Sequence, residues 1–376
     1  MKKFLSLSLA ALLLVGMVVL ASAATSTDFR YDAIFQGKTL PAYPAFQKLY
    51  TPEYSTALPG LTQTDIGAGC CAYMVPQTLC FAGDYLILSA YDGVSGYVTD
   101  SGDTAASHSA HKSVLYVMDN QNPQNRALLA TVILPENTHA GGVAFDGTFL
   151  WVSGKSQSLW RIPFADIDAA VRSGATEFDC AAAAKVIKEV GHAVSLLTYG
   201  QGKLWIGTFE ELKSGVLYGY ETAEENGAPV LQRAAELPLP NRSQGAAFYE
   251  KDGVDYLLVS RSYVRTPGLN HISQLELYKV ADLQKDAAHA VRIPLPPMAE
   301  GIDISGAYAY LTFESAATPY STVKGNLCDK PTDRVCALPL DALLAMKPTR
   351  LSLWAQILEC LRVMVNQLGA FFAGLG

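Results

Sequence analysis

One short phrase recurs five times along the 376 residues, and it limits the folds open to this chain. Each copy sets a small or polar residue ahead of an apolar run, then a tight-turn signal, then a second apolar run. The copies are Pro76-Gln77-Thr78-Leu79-Cys80-Phe81, Ala140-Gly141-Gly142-Val143-Ala144-Phe145, Val194-Ser195-Leu196-Leu197-Thr198-Tyr199, Ser243-Gln244-Gly245-Ala246-Ala247-Phe248 and Ala299-Glu300-Gly301-Ile302-Asp303-Ile304. With Gln77, Gly141, Ser195, Gln244 and Glu300 taken as equivalent, the steps are 64, 54, 49 and 56 residues. The turns carry Gly83, Asp146-Gly147, Gln201-Gly202, Asp252-Gly253 and Gly306, which supply the backbone freedom hairpins need. A strand-only unit of this length cannot bury its apolar faces alone and must stack on its neighbours. Repetition at such a period predicts an all-β chain folded as a β-propeller.

Each repeat reads as an inner strand a, then b and c, and an outer strand d. Strand b repeats an apolar triplet: Leu86-Ile87-Leu88, Leu150-Trp151-Val152, Leu204-Trp205-Ile206, Leu257-Leu258-Val259 and Ala309-Tyr310-Leu311. Strand c repeats an aromatic residue at Tyr116, Trp160, Tyr218 and Tyr278. The fifth repeat lacks a d strand, and residues 24 to about 66 carry no full repeat. That segment is expected to supply the missing strand and close the ring, which removes exposed sheet edges. Five blades follow, with six the alternative if residues 30–66 hide a degenerate blade. Helical turns are expected at 164–172, 281–286 and 340–346.

The chain starts Met1-Lys2-Lys3, continues with an apolar stretch from Phe4 to Leu20 and then Ala21-Ser22-Ala23. This reads as a signal peptide over 1–23, leaving a propeller over 24–345 and a tail over 346–376. The expected location is secreted or extracytoplasmic. Losing Lys2 and Lys3 takes the formal charge from −7 to −9, so nothing in the charge favours nucleic acid. An oxidising compartment permits disulfides, and the seven cysteines leave at least one unpaired. Cys328 and Cys336 bracket a polar loop and are the best-placed pair.

In a propeller the lead-in to strand a and the exit of strand b open on one face, where loops of all blades converge. The b exits bring Asp92, Lys155, Glu210, Arg261 and Glu314 to that mouth. The lead-ins bring His139, His192, Arg242 and Gln244. With Gln77 and Glu300 at the axis they form a polar, mixed-charge mouth suited to a polar small molecule, a glycan or a protein. Glu300 is the first candidate for catalysis, since a carboxylate near the axis is costly to bury unless paired or bound to a metal. The long loop after Asp92 adds Asp100 and Asp103, which could give oxygen ligands to Ca2+, and His108 and His111, which could hold a transition metal.

The repeated inner-strand phrase and the Leu-Trp-Val/Ile pattern of strand b resemble the secreted bacterial propellers of the strictosidine-synthase-like, gluconolactonase-like and lactonase-like group, over about 61–345. The resemblance implies a propeller with a central ligand site. In the lactonase-like members a divalent metal sits there on Glu, Asn and Asp, which would make this chain a metal-dependent hydrolase using Glu300. The equivalent ring here is Gln77, Gly141, Ser195, Gln244 and Glu300, and only Glu300 matches in charge.

No G-x-S-x-G elbow, H-E-x-x-H, P-loop or G-x-G-x-x-G is present. After Lys347-Pro348-Thr349 the composition changes. Leu351, Trp354, Leu358, Leu361, Val365, Leu368 and Phe372 recur at alternating steps of three and four, which predicts an amphipathic helix. Such a helix could lie in a membrane interface through 350–372, self-associate or pack under the propeller.

Overall fold

The computed structural model describes residues 29–67, 69–93, 111–263, 272–283, 285, 289–321, 328–350 and 361. The predicted signal peptide, Asp100, Asp103 and His108, and all of the predicted tail helix except Leu361 lie outside the described residues.

Five antiparallel sheets form the five blades of a β-propeller. Blade 1 runs Met74–Ala82, Tyr85–Asp92, Val114–Asp119 and Leu128–Ile133. Blade 2 runs Val143–Phe145, Phe149–Ser153, Leu159–Pro163 and Lys185–Ile187. Blade 3 runs Leu196–Gly200, Lys203–Gly207, Gly215–Glu225 and Ala228–Leu239. Blade 4 runs Ser243–Lys251, Val254–Tyr263, Ile272–Lys279 and His289–Leu295. Blade 5 runs Ala299–Ser305, Tyr308–Phe313 and Arg334–Pro339. Its outer strand is Thr56–Ala57 from the N-terminal segment, with Thr56 opposite Val335. Segment 29–66 therefore closes the ring as expected. It holds short helical turns such as Asp32–Ile34 and Pro44–Gln47 and no sixth blade.

The core is five apolar seams, one between each pair of neighbouring blades. Successive side chains of a strand point to opposite faces, so each middle strand feeds two seams. In strand b of blade 1, Leu86 and Leu88 pack toward blade 5 while Ile87 packs toward blade 2. Trp151 packs toward blade 3 between its neighbours Leu150 and Val152, which face blade 1. This two-sided burial explains why the strand-b triplets are apolar throughout, not alternately polar.

A hydroxyl after three of the five triplets ties neighbouring blades together. Ser89 donates to the Ala140 carbonyl of blade 2 at 2.7 Å, and Thr312 to the Gln77 carbonyl of blade 1 at 2.6 Å. Ser260 donates to the Glu300 carbonyl of blade 5. In blade 3 the equivalent residue is Gly207, and Ser153 of blade 2 bonds to Gly142 of its own blade.

Extra strands cover outer edges, which otherwise offer unpaired backbone groups to other chains. Glu177–Asp179, after the helix Phe164–Arg172, pairs in parallel with the outer strand of blade 1. Thr349–Arg350 pairs with the outer strand of blade 4. The sheet of blade 4 therefore takes in residues up to Arg350, beyond the 345 expected for the propeller. The other two predicted helical turns are present as Val280–Leu283 and Leu340–Leu344.

The expected Cys328–Cys336 disulfide is also corrected, since both cysteines are free and buried. Cys336 stands opposite Leu311 in the seam between blades 4 and 5. Cys328 lies outside that strand, beside Asp329 and Pro331 under the N-terminal segment. Burial holds the Cys336 thiol well above its usual range and pushes Cys328 up to about 11.

Candidate functional site

The inner strands position the mouth through irregularities in their pairing. Strand a of blades 1, 4 and 5 carries a bulge between Pro76 and Leu79, between Ser243 and Gly245, and between Ala299 and Ile302. The bulged residues include Gln77, Gln244 and Glu300, three of the five ring positions. A bulge re-aims a side chain out of the regular alternation, which turns these polar groups off the pleat. The lead-ins of blades 2, 4 and 5 contain Ala140, Arg242 and Met298 at φ of 52, 60 and 60°. Non-glycine residues persist in this left-handed region only where surrounding packing fixes them, and such positions concentrate at functional sites.

The ring is tight. A Cβ on Gly301 would stand 2.7 Å from the Thr78 Cβ, and one on Gly141 would stand 2.7 Å from the Ser195 carbonyl oxygen. Glycine at 141 and 301 lets adjacent inner strands meet at the axis. The floor of the mouth is polar and buried on the side of blades 5 and 1. Gln77 Nε2 donates to Glu314 Oε2 at 3.1 Å, and Gln77, Glu300 and Glu314 are all buried. The Glu314 backbone N–H is held by the Met298 carbonyl at 3.0 Å, which fixes the strand-b exit against the strained lead-in. Gln244 and Ser195 are half-buried on the ring.

The remaining expected mouth residues divide. Lys155 and His139 are exposed, and the His139 ring lies 4.6 Å from that of Tyr91. Glu210 is half-buried, 3.5 Å from the Lys213 ammonium, and its carbonyl accepts from the buried Arg242 N–H at 2.7 Å. Arg261 is buried and ion-paired to Glu276 at 2.6 Å. It also donates to the Asn241 carbonyl at 2.9 Å. Glu276 in turn accepts from Arg292 and the Tyr278 hydroxyl. His192 is engaged within blade 3: Nδ1 is 2.9 Å from the Ala193 carbonyl, and Nε2 is 2.7 Å from the Tyr220 hydroxyl. Its ring also packs on Tyr218 at 4.3 Å. Burial holds its pKa below the usual histidine value, so a neutral ring donates through Nδ1 and accepts through Nε2. With both nitrogens used, His192 serves the packing of blade 3.

Asp92 is buried at the rim of blade 1, where its Oδ2 is 2.9 Å from His111 Nδ1. Cys71 joins them. The ligand atoms of Cys71, Asp92 and His111 lie within 4.8 Å of one another. Among the described residues Glu300 belongs to no such cluster.

Sequence reasoning missed two features of this face. The first is Cys71, which a two-stranded hairpin of Thr64–Ile66 and Gly69–Cys71 carries to the rim. Only the sheet pairing reveals that approach. The second is apolar: Phe209 is 36% exposed and Leu212 is 55% exposed on the loop after strand b of blade 3. Their signal, two large apolar residues among Glu210, Glu211 and Lys213 in a loop with no strand pattern, was readable.

No protein-family model matches this sequence, and no curated protein does either. Solved propellers resemble it weakly. A nidogen/laminin complex aligns at 12% identity and a TM-score of 0.37, covering 74% of this chain and 81% of that one. The WD40 β-propeller domain of Doa1 aligns at 9% identity and a TM-score of 0.33, covering 70% and 92%. These similarities say nothing about what this chain binds.

Proposed function

We propose that this chain is an extracytoplasmic binding propeller that takes a protein partner on its mouth face. The observation that carries this reading is the pair of exposed apolar residues on the blade 3 loop, Phe209 and Leu212. They stand beside half-buried Glu210, on the same face as exposed Lys155 and His139. Exposed aromatic and aliphatic anchors rimmed by charge are the composition of a protein-binding hot spot. A small polar ligand would not need them. The buried polar floor of Gln77, Glu300 and Glu314 would then receive a side chain or terminus reaching into the channel. The basic start, apolar stretch and Ala21-Ser22-Ala23 support export.

The test is crosslinking and affinity purification of the tagged full chain from the cells that make it. Phe209→Ser with Leu212→Ser should lose the bound partner, and Lys155→Glu should weaken capture. Tyr199→Ser, at the opposite end of a strand a, should retain it. Equal capture by all variants would remove the mouth from the interaction. Sensitivity to Tyr199→Ser alone would move the interface to the other face.

A further inference from the structure

We propose that Cys71, Asp92 and His111 form a binding site for a divalent transition metal of the Zn2+ type at the rim of blade 1. The three come from separate elements. Cys71 ends the hairpin strand Gly69–Cys71, Asp92 ends strand b of blade 1, and His111 precedes strand c. They offer one sulfur, one oxygen and one nitrogen, the donor set that borderline-soft dications such as Zn2+ prefer. Their ligand atoms lie within 4.8 Å of one another. Ligands around tetrahedral zinc stand about 3.5 Å apart, given metal–ligand distances of about 2.0–2.3 Å. The widest pair needs to close by no more than about 1.3 Å, while Asp92 and His111 are already 2.9 Å apart and would separate slightly.

The surroundings favour a bound cation. Cys71 and Asp92 are buried, with Cys71 at 1% exposure and Asp92 at 3%. His111 keeps 30% of its side chain in solvent, so the fourth position opens on its side and a water can fill it. The Cys71 thiol is a poor nucleophile as it stands, because burial pushes it up to about 12. A metal would change that. The thiol gives its proton to solvent as the sulfur–metal bond forms, and the dication compensates both thiolate and carboxylate in a buried place. Cys70, its neighbour, is exposed and points to the other face of the hairpin, so the pair of cysteines does not act together.

Co2+ is a spectroscopic probe for such a site. Purified full-length protein, reduced and metal-free, should bind one equivalent of Co2+. A near-ultraviolet thiolate-to-cobalt charge-transfer band and the strong visible absorption of tetrahedral cobalt should appear. Cys71→Ser should abolish the charge-transfer band, and His111→Ala should weaken binding at least about tenfold. Cys70→Ser should leave both unchanged. Zn2+ should displace Co2+ and raise the melting temperature of the wild type but not of His111→Ala, a readout independent of whether Cys71→Ser folds. Absence of saturable binding in the wild type overturns the proposal. So does a charge-transfer band that survives Cys71→Ser and disappears in Cys70→Ser.

Discussion

The seam between blades 5 and 1 and the seam between blades 2 and 3 do the same job with different chemistry. Blades 2 and 3 meet through Trp151, Leu159, Leu197, Leu204 and Ile206, with Tyr220 at the edge. Blades 5 and 1 share an apolar seam of similar kind, then add buried polar clamps. Arg334, on the face of its blade 5 strand that looks toward blade 4, ties down the closing N-terminal segment: it is 1% exposed, lies 2.9 Å from both Asp333 and Asp32, and has the Phe29 and Phe35 rings at 3.8 and 3.9 Å. Arg126 is fully buried and donates to the Tyr54 carbonyl at 2.8 Å and the Tyr310 hydroxyl at 3.0 Å. Thr312 and Gln77–Glu314 bridge the same two blades. Blades 2 and 3 are consecutive in sequence, so a short connection brings them together. The 5–1 seam joins chain ends hundreds of residues apart and carries the entropy cost of closing the ring. Directional bonds there fix which segments meet, which an apolar contact alone does not specify.

The sharpest way to break this contrast is Arg334→Met, which unties the closing N-terminal segment from blade 5 and leaves Asp333 buried without its cation. It should cost about 3–5 kcal/mol in urea unfolding, the range for breaking a buried pair. Leu204→Ala in the 2–3 seam should cost about 2–5 kcal/mol through the cavity it leaves. If it exceeded Arg334→Met, the clamps would not be what holds the ring. Gly301→Ala forces a Cβ against Thr78 across the 5–1 seam and should cost about 1–3 kcal/mol. Thr312→Val should cost about 1 kcal/mol by orphaning the Gln77 carbonyl. Ser153→Ala, whose hydroxyl bonds only within blade 2 among the described residues, should cost less between blades and leave blade closure intact.

The smallest effect is a pH dependence. Asp303 accepts from the Phe81 N–H at 2.9 Å across the 5–1 seam, and burial raises its carboxyl from 3.8 to about 6. The folded state therefore holds its proton more tightly than the unfolded chain. The resulting stability is complete below about pH 4 and is lost as pH rises through about 6. Melting temperature should fall over that window by a few degrees more in the wild type than in Asp303→Asn. Equal slopes would remove Asp303 from the seam's titration.

Much of the architecture was legible because propeller physics is repetitive. The inner-strand phrase, the strand-b triplets and the missing outer strand of the fifth repeat each report a local requirement that every blade shares. The ring positions Gln77, Gln244 and Glu300 were legible for the same reason, although their bulges were not. What escaped was chemistry made by one contact only. His192 has the sequence position of a mouth residue, yet Tyr218 and Tyr220 from strand c take its ring. Cys71 has no motif around it, and it reaches Asp92 and His111 through a hairpin of three-residue strands. Cys328 and Cys336 are close in sequence, but one faces the 4–5 seam and the other lies under the N-terminal segment.

The sequence by itself determined the all-β class, the five-fold repeat and the closing role of the N-terminal segment. Periodicity of two and recurrent turns are properties of short stretches, and short stretches carry them whole. Only the tertiary structure decided which polar side chains meet. It placed Glu314 on Gln77, His111 on Asp92 and Arg334 between two phenylalanines. The first and third meetings join residues hundreds of positions apart that ring closure brings together, and the second crosses a loop of blade 1 that no local pattern predicts.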